Sequence, residues 1–144
     1  MRRYVYGGAV IVLMLVIYLF SSIPHLSFFH GKLPPHLQWL NRYSLHLGSS
    51  GFFSYIITLN PDFIIHKLGH FTLYGLLGLT LYVTTGRSAV KAMLIVVLFA
   101  VSDEVHQGLV IGRSSRLGDI ILDTASASLF ILLFIRLAVS RHSK

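Results

Sequence analysis

The chain contains no cysteine, which excludes a disulfide framework, a thiolate nucleophile and a sulfur-ligated metal, and leaves the redox compartment unreadable from thiols. Acidic residues are almost as scarce: Asp62, Asp103, Glu104, Asp119 and Asp123 are the complete set. Charged residues make up 12% of the chain, against roughly 25% in an ordinary soluble domain. Hydrocarbon takes their place: 54% of the 144 residues are hydrophobic and the mean hydropathy is +0.72, which is the composition of a membrane protein. The length suits one domain, 1–144. A net charge of +7 suggests nucleic acid at first sight, but the basic residues stand at the ends of apolar runs and do not stripe one face, so no nucleic-acid partner is expected.

In order, the apolar runs read as four transmembrane helices, at about 4–22, 62–85, 89–111 and 117–139, each near the ~20 residues needed to cross a bilayer. Arg2 and Arg3 before the first run also resemble the start of a signal peptide, but no small-residue cleavage site follows, so a retained anchor is expected. Asn60, Pro61 and Asp62 form a strong helix start, with a side-chain cap, a proline in the first turn and an acid at the positive dipole end. The loop 23–61 is less apolar. Within it PPHLQWLNRYSLHL puts Leu37, Leu40, Tyr43 and Leu47 near one side of a helix, predicting a helix that lies in the membrane interface, and GFFSYIITLN is expected to dip into the same interface. The loop histidines His25, His30, His36 and His46 are read as solvated. The fold class is therefore all-α: a polytopic membrane protein, four transmembrane helices and an interfacial helix in the first outer loop.

Four spans put both termini on one side. Arg2, Arg3, Arg87, Lys91, Arg136, Arg141 and Lys144 share that face, against Lys32, Arg42, Arg113 and Arg116 on the other, so both termini are expected in the cytoplasm and the long loop outside the cytoplasmic membrane.

Four of the five acids lie between Ser102 and Ser126, flanked by strongly apolar sequence. The predicted topology brings the start of the second helix, the end of the third and the start of the fourth to one membrane face, where the spacings give each helix a polar stripe. Lys67, His70 and Tyr74 run i, i+3, i+7; Asp103, His106 and Gln107 run i, i+3, i+4; Asp119, Asp123 and Ser126 run i, i+4, i+7. A charge at the bilayer centre costs roughly 3 kcal/mol on insertion scales, so such groups face the bundle interior and pair. A purely structural network of ion pairs is one explanation, but interhelical polar contacts are often worth only ~0.6 kcal/mol, a small return for this many charges. An outward-facing binding pocket is the sharper expectation.

The pieces FSSIP, HKLGHFTLYGLLG, DEVHQ, a following Arg and DIILDT, between Phe20 and Thr124, resemble the VanZ-like family of bacterial membrane proteins, named for a member associated with teicoplanin resistance. The resemblance implies a cell-envelope protein. It marks Lys67, His70, Tyr74, Asp103, Glu104, Gln107, Arg113, Asp119 and Asp123 as the recurrent polar set and ligand-binding candidates. In the family an acid commonly precedes the lysine; here it is His66, which predicts a different partner for Lys67.

Two chemistries compete. In the first, the pocket binds a membrane lipid or lipid-linked envelope precursor, Arg113 and Arg116 holding a phosphate or carboxylate by forked hydrogen bonds and Lys67 adding a point charge, with glycopeptide tolerance following from altered access to wall precursors. In the second, the protein is an intramembrane hydrolase or transferase: Glu104 or Asp103 is the general base, His70 or His106 the acid, and Arg113 stabilises developing anionic charge. No serine in a recognised nucleophile motif accompanies these groups. A metal at His66 and His70 is disfavoured by the adjacent Lys67 and by the missing glutamate of an H-E-x-x-H motif, so neither metal nor cofactor is expected. A proton or ion pathway would require a homo-oligomer of such short bundles. Gly75 and Gly78, with Ala125 and Ala127, offer small surfaces for close packing, expected within the chain.

Overall fold

Asn60 opens the second long helix as its sequence predicts. In the computed structural model, which describes residues 2–24, 33–48 and 51–142, Asn60 Oδ1 accepts hydrogen bonds from the backbone N–H groups of Asp62 (2.8 Å) and Phe63 (3.4 Å). Four long helices dominate: α1 (Arg2–Ser21), α2 (Pro61–Thr84), α3 (Ala89–Leu109) and α4 (Leu117–His142). Ser88 caps α3 by accepting from Lys91 N–H. The connections reverse at left-handed residues, Gly86 and Arg87 before α3 and Gly112 before α4, where glycine carries no Cβ penalty.

Helix α4 packs most extensively on α2, and α1 leans against α2 and, less, α3. Small residues permit the close approach. A Cβ on Gly78 would lie 2.6 Å from that of Ala127, and one on Gly75 would lie 2.7 Å from the Phe130 ring, so these surfaces serve packing within the chain, while Ala125 is exposed. Ile17, Leu77, Leu81, Val96 and Ile131 fill the apolar core, with Ala92 and Ala100 where helices come near. The hydroxyls of Thr80, Thr84, Thr85 and Ser128 donate to carbonyls four residues earlier on their own helices, so they need no water.

The distribution of polarity is inverted relative to a soluble bundle. Ser21, Asp103, Glu104, Gln107, Asp119, Asp123 and Ser126 are buried, whereas Val90, Leu94, Leu98, Val101 and Val105 form an exposed stripe along α3. Exposed Val5, Ile11, Leu15 and Leu19 on α1, and Leu132, Leu133 and Leu137 on α4, extend the outer hydrocarbon surface. Among the described residues one helix, Leu117–Arg141, is long and apolar enough to cross a membrane, and Val5–Ser21 is a shorter apolar helix.

The first loop differs from its prediction. The expected interfacial helix is a 3₁₀ helix over Pro35–Arg42 only, and Ser44–Leu47 (β1) pairs antiparallel with Tyr55–Thr58 (β2), Leu45 opposite Ile57. Two features favour the hairpin. SLHL alternates polar and apolar with the period of a strand, and YIIT is aromatic and β-branched. Gly48 and Gly51 have positive φ, as the link between the strands requires. Trp39 and Tyr43 are exposed, with their rings edge to face at 6.0 Å. His36 and His46 are exposed, while His25 and His30 lie outside the described residues.

Candidate functional site

The polar stripes of α2, α3 and α4 meet at one end of the bundle in two layers. The upper layer is an ion pair between Lys67 Nζ and Asp119 Oδ1, both largely buried, so Lys67 finds its partner on α4 and not at the position His66 occupies. The rings of Phe63 and Tyr55 lie 5.4 and 5.5 Å from the ammonium, within cation–π range. One helical turn deeper, His70 Nδ1 stands 3.3 Å from both carboxylate oxygens of Asp123. Asp103 Oδ2 accepts from the Tyr74 hydroxyl at 3.2 Å and from Gln107 Nε2 at 3.1 Å, and Gln107 also donates to Ser21 Oγ at 3.4 Å, tying α1 to the site.

Glu104 takes a separate position. Its Oε2 accepts the backbone N–H of Arg116 at 2.7 Å, fixing the connector between α3 and α4, while Oε1 is buried without a hydrogen-bond partner among the described residues. That connector carries Arg113, whose Nε and Nη2 are likewise buried and unpartnered. Burial lowers the Arg113 pKa from its ordinary value, against the opposing influence of Asp103, Glu104 and Asp119. A cavity of about 210 Å³ opens here, lined by Lys67, Gln107, Arg113, Arg116 and Asp119 together with Phe63, His66, Gly112 and Ser114. A second, apolar cavity of about 230 Å³ lies between α1 and α2, against Ile17, Phe20, Ile65, Gly69 and Leu73; His66 borders both.

All nine predicted residues thus converge: Lys67, Gln107, Arg113 and Asp119 at the cavity, His70, Tyr74, Asp103 and Asp123 beneath it, and Glu104 at the connector. His106 turns elsewhere, stacking on Tyr18 at 4.5 Å and sharing a 2.9 Å hydrogen bond with Ser22 Oγ. Arg116 Nε donates to Ser114 Oγ at 3.1 Å.

Sequence reasoning missed Ser21, Phe63, Tyr55 and Gly118. Tyr55 comes from β2 and packs over the start of α4; burial first, then Asp119, pushes its hydroxyl pKa up to about 12. Only a glycine at 118 admits that ring, because a Cβ there would lie 2.3 Å from Tyr55 Cδ2. Gly118→Ala should therefore displace Tyr55 and speed amide hydrogen exchange across 55–58, with helical circular dichroism retained. Unchanged exchange in that segment would contradict this packing.

Inward carboxylates and amides under an outer surface of hydrocarbon define a class, the helical bundles built for apolar surroundings, since ionisable groups in such surroundings turn to the protein interior. The chain belongs to the VanZ/LLP1 family, a membrane-associated family whose model matches residues 7–139. No curated protein and no solved structure matches it.

Proposed function

We propose that this protein is a multi-pass protein of the cytoplasmic membrane, with both termini in the cytoplasm, that binds an amphiphile with an anionic headgroup, such as a membrane lipid or a lipid-linked envelope precursor, at its outer face. The observation that carries this reading is the Arg113 guanidinium. Nε–H and Nη2–H form the parallel side-on fork that a carboxylate or phosphate accepts in two hydrogen bonds; both are buried without a partner among the described residues, and the residue that carries them lines a cavity shared with Lys67 and Arg116. A buried donor without an acceptor costs about 1–3 kcal/mol, more when charged, and an anionic ligand relieves that cost. The neighbouring apolar cavity suits the ligand's hydrocarbon chain, with His66 at the boundary between head and tail.

Four spans are part of this reading. The exposed apolar stripes of α1 and α3 suit lipid, and Asp103, Glu104 and Gln107, which lower the hydropathy of α3, are buried, as is most of Lys67 on α2. The family association with glycopeptide tolerance fits a protein that engages wall precursors at the membrane surface.

Native mass spectrometry of gently purified wild type and Arg113→Ala tests the reading. Wild type should retain an anionic or isoprenoid-phosphate lipid; the variant should lose it at equal abundance and monodispersity, and Arg113→Lys should not restore it, since an ammonium cannot supply the fork. Equal lipid retention by wild type and Arg113→Ala would refute the proposal.

A further inference from the structure

Beneath the headgroup cavity, three residues from three helices come together: His70 on α2, Asp103 on α3 and Asp123 on α4, with one ligand-capable atom from each lying within 4.8 Å of the others. We infer that they form a binding site for a divalent transition-metal cation, Zn²⁺ or Mn²⁺. The inference goes beyond the proposed function and does not rest on it.

Charge comes first. Asp103 and Asp123 are 3% and 0% exposed, and Lys67, one turn above, is committed to Asp119. Asp103 Oδ2 takes its hydrogen bonds from the neutral donors Tyr74 and Gln107. His70 pairs with Asp123 at 3.3 Å and can neutralise that carboxylate only as an imidazolium; a divalent ion bound by the neutral imidazole balances both carboxylates and removes the desolvation cost of the charge left over on Asp103.

Unused acceptor capacity is the second observation. Asp103 Oδ1 is buried with no hydrogen-bond partner among the described residues, and Asp123 Oδ1, which makes no hydrogen bond there either, has its 3.3 Å ion-pair contact with His70 Nδ1 inside the cluster, a contact that a cation shared by the two groups would replace. Ligands held at about 2.0–2.2 Å around one tetrahedral ion lie roughly 3.3–3.6 Å apart, so the widest separation in the cluster needs to close by at most about 1.5 Å. One imidazole nitrogen with two carboxylates suits Zn²⁺ or Mn²⁺ better than Ca²⁺, which prefers an all-oxygen shell. Tyr74 and Gln107 already hold the Asp103 carboxylate, as outer partners of a metal ligand do. With three protein ligands a tetrahedral ion would keep its fourth position for water or another ligand.

Adjacency in sequence misleads here. His66 and His70 follow each other on one helix with their rings 4.7 Å apart, yet the convergent set replaces His66 with acids from two other helices. Lys67 does not oppose an ion at this site, because its ammonium is paired on the level above.

The test uses full-length protein in detergent, stripped with EDTA, reloaded with Zn²⁺ and desalted. Inductively coupled plasma mass spectrometry should find about one Zn²⁺ per chain, the thermal unfolding midpoint of the stripped wild type should rise on adding Zn²⁺, and Mn²⁺ should give a bound-ion paramagnetic resonance spectrum. His70→Ala and Asp103→Asn should each weaken Zn²⁺ binding by more than about tenfold, while His106→Ala retains it. Should a ligand variant fold poorly, the wild-type titration decides alone. Folded wild type that holds no Zn²⁺ or Mn²⁺ above the detergent blank, or ligand variants that bind as wild type does, would overturn the site.

Discussion

Lys67→Met is expected to deplete folded protein from the membrane, and adding Asp119→Leu is expected to bring most of it back. In the single variant the Asp119 carboxylate, on a residue 6% exposed, loses its ammonium and keeps the Tyr55 hydroxyl beside it, with Arg113 and Arg116 at the same cavity but beyond ion-pair distance among the described residues. Breaking a buried pair from one side costs about 3–5 kcal/mol, because the remaining charge is stranded; replacing both partners with apolar side chains of similar size is often neutral or better. The order of stability should therefore be wild type close to the double variant and both well above Lys67→Met, read as monodisperse yield and thermal midpoint in detergent. Lipid retention should separate from stability, since the double variant has lost a cation of the cavity proposed for the headgroup. A double variant that recovers both fold and lipid would reduce the pair to a helix fastener.

The second large effect belongs to the seam between α2 and α4, and a glycine series isolates it. Ala gains about 1 kcal/mol over Gly in a helix interior. At Gly69, where an added Cβ meets nothing within 4 Å, that gain stands and the variant should be neutral to more stable. At Gly75 the obstacle is the Phe130 ring, which can turn aside, so gain and crowding roughly cancel. At Gly78 the added Cβ meets Ala127 Cβ at 2.6 Å and its Cα at 2.9 Å, and backbone cannot step away without parting the helices. Overpacking of this kind costs about 1–3 kcal/mol, and Gly78→Val should cost more than Gly78→Ala. Thermal midpoints ranked Gly69→Ala, Gly75→Ala, Gly78→Ala, Gly78→Val from high to low support the seam; a flat series would show that the helices have slack there.

Helix starts and polar stripes were legible because both are local. Asn60-Pro61-Asp62 declares a cap within three residues, and the spacings of Lys67/His70, Asp103/Gln107 and Asp119/Asp123 define one face of each helix regardless of what that face meets. The same logic failed where orientation depends on neighbours. His106 shares the stripe spacing of Asp103 yet turns to Tyr18 and Ser22 on α1, and nothing within α3 distinguishes the two outcomes. The β1–β2 hairpin was missed because LQWLNRYSLHL satisfies a helical spacing of leucines as well as a strand alternation, and the pairing with YIIT that decides between them is non-local. Tyr55 belonged to that misread segment, so its place above Asp119 was out of reach. Arg113 was legible as a cation; which of its nitrogens end up buried depends on the elements packed around the connector, which no local pattern shows.

That pinning has a consequence for affinity. Arg113 sits between Gly112, which turns the chain, and Arg116, whose backbone N–H is fastened by a buried carboxylate from the preceding helix. The guanidinium is thus mounted on a short bridge clamped at its far end before any ligand arrives. Ordering a mobile loop and side chain would consume part of the interaction free energy on each binding event, about 0.5–1.5 kcal/mol for a flexible side chain alone. Here folding has already ordered the backbone of the connector, through Glu104, a residue outside the cavity lining, so that at the proposed site the Arg113 side chain is what binding would still have to order.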